Sequence, residues 1–363
     1  MHINTRTPCQ IYICATPYHV MLAHMIAMNQ TRSEHERVLI LTNTARSKDA
    51  ERLIFKKTWS LVTRIPTKGH WRATAKIREL TSWRKEQLDR YRPRSIEWFL
   101  ANDTDWTHQW VMSQLGQGHI NLFEDGMASY INNRGMNPWP KVLFRKLFYR
   151  AILGKHYTNP HGIGQTPASD YWALSKDAFP QIQNRQKIKL ITINHAYQAY
   201  LNQAIPPNLI NSDIFNDGLI LTQPLHEYGL ASSNDEITIY TELGKAVAKT
   251  GCRIVYVKKH PAEKPELFLE RQRIIREQSG LPIQQLSDPT PIETYFLGGI
   301  RFLCIASITS SAIINASHMR AAPHIFSAFD ALPPRSRKKQ ADCRKTLVGS
   351  GIQVIAKPRS MQT

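Results

Sequence analysis

Neither Gly-x-Gly-x-x-Gly nor Gly-x-x-x-x-Gly-Lys-Ser/Thr occurs in the 363 residues. Dinucleotide enzymes and P-loop ATPases cradle phosphates on such loops, so both classes lose weight. Cysteine is sparse and scattered: Cys9, Cys14, Cys252, Cys304 and Cys343 form no CxxC pair and no Cys/His ligand spacing. That argues against structural zinc and a disulfide framework, and for reduced packing cysteines in a cytosol-like compartment. No uncharged apolar run approaches the ~20 residues of a membrane span. The run Ile11 to Cys14 is too short for a secretory leader, and polar Thr16, Tyr18 and His19 follow it. A cytoplasmic protein, soluble or peripheral, is expected. Hydrolase patterns are missing too, since no Cys/His or Ser/His/Asp spacing stands out and Ser310 is not in a GxSxG elbow.

Acidic residues are also few. There are 28 Asp and Glu against 47 Lys and Arg, a net charge of +19. Such an excess points to an anionic partner: nucleic acid, anionic lipid, a nucleotide-linked donor or a polyanionic acceptor. Hydrophobic content of 42% is enough for a sizeable core.

The length suggests two domains. The chain opens with an apolar run (11–15), a Thr16-Pro17-Tyr18-His19 loop and a helical stretch through Met28. Val38 to Thr42 then reads as a second strand. That strand–helix–strand rhythm is the signature of a doubly wound parallel sheet. Further strands are expected at 119–123, 171–174 and 188–192. A turn-rich break at Ile205-Pro206-Pro207-Asn208 separates expected domains 1–208 and 216–363. Beyond it come strands at 219–222, 253–257, 302–305, 324–326 and 352–355, and helices over 236–249 and 263–278. Two Rossmann-like α/β halves facing a central cleft is the economical architecture.

Two segments concentrate positive charge. Residues 51–100 hold 13 Lys and Arg against 5 Asp and Glu, with Trp59, Trp71, Trp83 and Trp98 interleaved. A nucleic-acid surface is one reading. A basic groove cover or exposed helical face is favoured, because no RRM, zinc-finger or helix-turn-helix pattern accompanies it. Lys141 to Lys155 places Phe144, Leu147, Phe148, Ala151 and Ile152 on one helical stripe with bases around it. That suits a core-packed amphipathic helix or an interfacial helix on anionic lipid.

Three polar clusters follow expected strands, at the ends that bind ligands in open α/β sheets. Glu124-Asp125-Gly126 pairs a base with an orienting carboxylate on a sharp turn. Lys258-Lys259-His260-Pro261 places a histidine, pushed extended by the proline, where it can contact a phosphate or act as general acid. Ser307 to Ser311 precedes the apolar run Ala312-Ile313-Ile314, as in a loop opening a helix whose N–H groups hold an anion. Each cluster alone also reads as an ordinary turn or cap.

Together and in this order, the clusters resemble the bacterial GT-B sialyltransferases, which share D/E-D/E-G, His-Pro and a later serine pair. Ile13 to His19 and Leu221-Thr222-Gln223-Pro224-Leu225 resemble the capsule polysialyltransferases in particular. The resemblance spans residues 11–315 and implies a GT-B fold with CMP-sialic acid bound mainly by the C-terminal half. It also implies inverting chemistry with no metal and no cofactor, the donor being a co-substrate. Glu124 is expected as the base, with Asp125 as orienter or substitute. His260 would contact the leaving phosphate, and Ser310 and Ser311 the phosphate or the sialic acid carboxylate. Pro261, Gln223, Thr16 and Lys259 would line the donor site. Glu293 is the one candidate for a ribose contact. The acceptor is expected to be an anionic glycan or glycolipid, a polysialic capsule chain or a lipooligosaccharide terminus, with peripheral inner-membrane contact and no nucleic acid. A GT-B transferase of another nucleotide sugar, and a basic nucleic-acid-binding protein, stay open as alternatives.

Overall fold

The computed structural model describes residues 8–30, 35–42, 47–66, 73–91, 95–116, 118–131, 139–153, 166–203, 205–206, 209, 214–339 and 341–356. Trp71, Pro207, Asn208 and Lys155 lie outside them. The chain divides into two compact units, Met1–Tyr200 and Leu201–Thr363.

In the first unit, seven strands form one sheet: β1 (Cys9–Cys14), β2 (Glu36–Leu41), β3 (Leu61–Arg64), β4 (Ile96–Leu100), β5 (His119–Phe123), β6 (Tyr171–Ala173) and β7 (Ile188–Leu190). Their order is β3-β2-β1-β4-β5-β6-β7, every neighbour parallel, so the order reverses between β1 and β4. Parallel strands are covered on both faces, and β1 is accordingly buried at all six positions. Helices α1 (Pro17–Asn29), α2 (Ser47–Glu51), α3 (Ala73–Gln87), α4 (Trp106–Leu115), α5 (Trp139–Leu153) and α6 (His195–Asn202) connect or follow the strands. α1 is apolar nearly all round and buried from His19 to Ala27.

The basic 51–100 segment is built differently from the nucleic-acid reading. Trp59, Trp83 and Trp98 are buried, Trp98 as a central residue of β4. Trp59 donates its indole N–H to His24 and Trp83 to Thr63. These rings therefore belong to the core, and cannot serve as the exposed stacking platform that single-stranded nucleic acid needs.

The second unit holds β8 (Gly218–Leu221), β9 (Val255–Lys258), β10 (Ile283–Leu286), β11 (Cys304–Ser307), β12 (His324–Ser327) and β13 (Gln353–Val354). Their order is β10-β9-β8-β11-β12-β13, again parallel throughout, with the reversal between β8 and β11. Its helices are α7 (Ser233–Ala248), α8 (Pro265–Ser279), α9 (Ile292–Leu297), α10 (Ser311–His318), α11 (Pro334–Lys339) and α12 (Ala341–Gly349). α7 opens with a reciprocal Ser232–Asp235 capping box. Among the described residues no helix is long and apolar enough to cross a membrane.

Candidate active site

Each cluster sits just past the carboxyl end of a strand, the serine cluster after β11 at the reversal of its sheet and the other two, after β5 and β9, one strand away from theirs. In the first unit the β1–α1 turn meets the β5 end. Thr16 caps α1, its hydroxyl accepting the His19 N–H at 3.2 Å, and Pro17 occupies the first turn, where its missing N–H costs little. This geometry aims two consecutive side chains at two consecutive carboxylates. The Tyr18 hydroxyl donates to Glu124 Oε1 at 2.6 Å, and His19 Nε2 donates to Asp125 Oδ1 at 2.7 Å. His19 Nδ1 accepts the Ala15 N–H at 3.2 Å, which places the ring proton of the neutral imidazole on Nε2. The ring stands edge-on to Phe123, 5.9 Å between centroids.

The two acids differ in surroundings. Glu124 is fully buried, its Oε2 accepting the Leu174 N–H at 3.0 Å from the end of β6. The Asp125 side chain is 18% exposed, and its backbone N–H donates to Ser129 Oγ at 2.8 Å. Gly126 follows at φ +63°, a left-handed conformation that glycine adopts without Cβ strain. Tyr18, His19 and the Leu174 N–H thus surround the two acids. Tyr18 and His19 lie in the segment Ile13 to His19 that carries the resemblance, but no role followed for them from the sequence, and Leu174 was marked only by its place at the end of an expected strand.

In the second unit three adjacent strands, β9, β8 and β11, present the other residues. Gln223, past β8, accepts the Thr309 N–H on Oε1 at 2.7 Å, and this bridges the β8 and β11 ends. Tyr240 fixes the Gln223 backbone on both sides, accepting its N–H and donating to its carbonyl. Ser310 caps α10, its hydroxyl accepting the Ala312 N–H at 3.2 Å, and both Ser310 and Ser311 are half-buried. At the β9 end Lys259 and His260 are half-buried and Pro261 exposed. His260 Nδ1 accepts the Ala262 N–H at 3.1 Å, so the proton of the neutral ring sits on Nε2. The His260 backbone N–H donates to Glu263 at 2.6 Å.

Behind this row, Lys258 donates to the Asp288 carbonyl at 2.6 Å and lies over the Tyr295 ring. Burial pulls its pKa down to about 8. Burial pushes the Glu293 carboxyl up, and Asn315 Nδ2 donates to it at 3.2 Å. No group of three or more His, Cys, Asp or Glu among the described residues is placed to hold a metal ion.

Residues 10–328 match the alpha-2,8-polysialyltransferase family. The chain belongs to that family. It is a sialyltransferase that transfers sialic acid from CMP-sialic acid to a bacterial glycan. No curated protein matches it in sequence. Among solved structures, it is similar to an alpha/beta-galactoside alpha-2,3-sialyltransferase from Photobacterium phosphoreum, with 12% identity and TM-score 0.55 over 96% of this chain and 98% of that one. A 2,6-sialyltransferase from Photobacterium sp. JT-ISH-224, solved with CMP and lactose, gives 12% identity and TM-score 0.54, covering 96% and 78%. The UDP-GlcNAc 2-epimerase of Neisseria meningitidis gives 10% identity and TM-score 0.55, covering 96% and 88%. At these identities the likeness establishes the fold class alone, GT-B with two parallel-sheet α/β domains.

Proposed function

We propose that the enzyme works by inversion, the acceptor hydroxyl attacking C2 of the sialic acid as the bond from C2 to the phosphate oxygen breaks and CMP leaves. Glu124 takes the acceptor proton. The reading rests on the Tyr18–Glu124 hydrogen bond: a hydroxyl already donates to Oε1, where an acceptor sugar hydroxyl would donate, while the Leu174 N–H keeps the carboxylate oriented. The greater exposure of Asp125 favours a second reading, with Asp125 as base and His19 holding it.

His260 Nε2–H meets the phosphate, and Ser310 and Ser311 with the first N–H groups of α10 meet the phosphate or the sialic acid carboxylate. Gln223, Thr16, Lys259 and Pro261 line the donor, and buried Glu293 is the candidate for a ribose contact. A single phosphate as leaving group carries less charge than a pyrophosphate, so the side chains suffice and no metal is invoked. The +19 charge suits a polyanionic acceptor such as a growing polysialic chain. α5 leaves Phe144, Leu147 and Phe148 exposed beside exposed Arg150, which supports peripheral contact with anionic lipid at the inner face of the inner membrane.

The test is CMP binding and transfer for Glu124→Gln and Asp125→Asn. Loss of transfer by about a hundredfold or more in E124Q, with CMP affinity kept, supports Glu124 as base. Full transfer by E124Q alongside a dead D125N assigns the role to Asp125.

A further inference from the structure

Glu263 and Arg271 carry none of the roles assigned above, yet they form a deeply buried charged cluster in the second unit. Arg271, on α8, is 1% exposed and donates to three carboxylates. Its Nη1 reaches Glu263 Oε1 at 2.6 Å. Its Nη2 reaches Glu236 Oε1 on α7 at 2.6 Å and Glu227 Oε2 at 2.8 Å. Three acids around one guanidinium are more than charge balance requires. A buried ion pair with no other task is commonly no better for stability than apolar packing of the same volume.

The arrangement points to the residue that the third acid holds. The Glu263 side chain is fully buried, and its Oε2 accepts the His260 backbone N–H at 2.6 Å. The Thr222 hydroxyl, one residue before Gln223, lies 2.6 Å from the same oxygen and 3.2 Å from the Lys258 carbonyl. The Glu263 N–H donates back to the His260 carbonyl at 3.0 Å, closing the turn. Burial pushes the Glu263 carboxyl above its ordinary value, with Arg271 working in the opposite direction. The planar guanidinium, which fits several carboxylates at once, ties the turn to α7 and α8. One chain of contacts thus links the rigid helix layer to the two strand ends that carry His260 and Gln223.

We infer that Glu263 and Arg271 are positioning residues for the donor site, holding the His260-Pro261 turn so that His260 Nε2–H is aimed at the phosphate. The inference rests on His260 being the phosphate contact.

The test is a double-mutant cycle on the full chain, with kcat, KM for CMP-sialic acid and the dissociation constant of CMP measured for His260→Ala, Glu263→Gln and the double variant. Thr222→Val, a near-isosteric change, runs in parallel should E263Q not fold. Expected is a loss of about tenfold or more in kcat/KM for E263Q and a smaller loss for T222V. Both losses should fall on the donor parameters, with KM for the acceptor unchanged. In the His260→Ala background neither change should cost anything further. Losses that persist in full in that background, or that fall equally on the acceptor KM, overturn the inference in favour of a plain stability role. If H260A itself keeps wild-type donor kinetics, the phosphate reading of His260 fails and takes the inference with it. If H260A is impaired and E263Q and T222V are not, the positioning role alone fails.

Discussion

Acid should loosen the first unit through His24, on the helix that carries the candidate site. His24 is buried, its ring stacked on Tyr197 at 4.9 Å and edge-on to Trp59. Its Nε2 accepts two hydrogen bonds, from the Trp59 indole at 2.7 Å and the Phe55 N–H at 3.0 Å, while Nδ1 donates to the Val20 carbonyl at 2.9 Å. The neutral ring satisfies all of these. A second proton must go on Nε2 and would break two of them in a dry site. Burial accordingly lowers the pKa from 6.5 to about 4. In the unfolded chain the imidazole titrates near 6.5, so below that pH the unfolded state binds a proton that the folded state refuses. The stabilisation is complete above pH 6.5 and is lost as pH falls towards 4. At 1.36 kcal/mol per unit the whole loss is about 3 kcal/mol, of which about 2 kcal/mol is gone by pH 5. All eight tryptophans lie before residue 173, so indole fluorescence follows the first unit alone. Urea unfolding at pH 7.5 and pH 5 for wild type and His24→Gln isolates the effect, because other groups contribute equally to both. The wild type should lose about 2 kcal/mol more than the variant. Equal losses would refute the argument, as would an NMR titration placing His24 near 6.5.

Other expectations follow from single contacts. Gly126→Ala forces a Cβ onto φ +63° and should cost about 1–2 kcal/mol while lowering transfer, since it shifts the Asp125 turn; unchanged transfer kinetics would contradict that placement. Gly218→Ala on β8 would set its Cβ 2.9 Å from Val247 Cγ1 and 3.1 Å from Cys304 Sγ. A loss of about 1–3 kcal/mol should appear in the circular-dichroism melt of the second unit, with tryptophan fluorescence unmoved. Tyr18→Phe removes the donor to Glu124 Oε1 without removing the ring, so the acceptor KM should change more than the donor KM. Phe144→Glu with Leu147→Glu should release the protein from anionic vesicles in sedimentation while leaving transfer to a soluble acceptor intact. Retention on the vesicles would exclude α5 as the contact.

Strand ends were the most legible part of the sequence. Phe123 before Glu124, Lys258 before His260 and Ser307 before Ser310 each close a buried parallel strand, whose continuous apolar run is short and bounded by polar residues. Strands with weaker patterns escaped. β10 reads Ile-Gln-Gln-Leu and lies at a sheet edge, half in solvent, and β3 is an edge strand of four residues. β4 was hidden differently: Ile96 to Leu100 follows a basic stretch, so Trp98 read as part of a charged surface when it is a core residue. Charge seen along a chain says nothing about which way the aromatic rings between the charges turn.

Composition, strand rhythm and three short motifs determined, without coordinates, a two-part parallel α/β fold and a set of candidate site residues at its strand ends. Those properties are local, resting on apolar periodicity, turn residues and caps. Partnership is not local. The pairing of Tyr18 with Glu124 and of His19 with Asp125 joins residues 106 positions apart, and only the adjacency of β1, β4 and β5 creates it. The same holds for Glu263, an unremarkable acid three residues after His260 until α7 and α8 close around Arg271. Which acid is sheltered, which is exposed and which tautomer each histidine holds are set by those long-range contacts, since burial and hydrogen bonding act between neighbours in space.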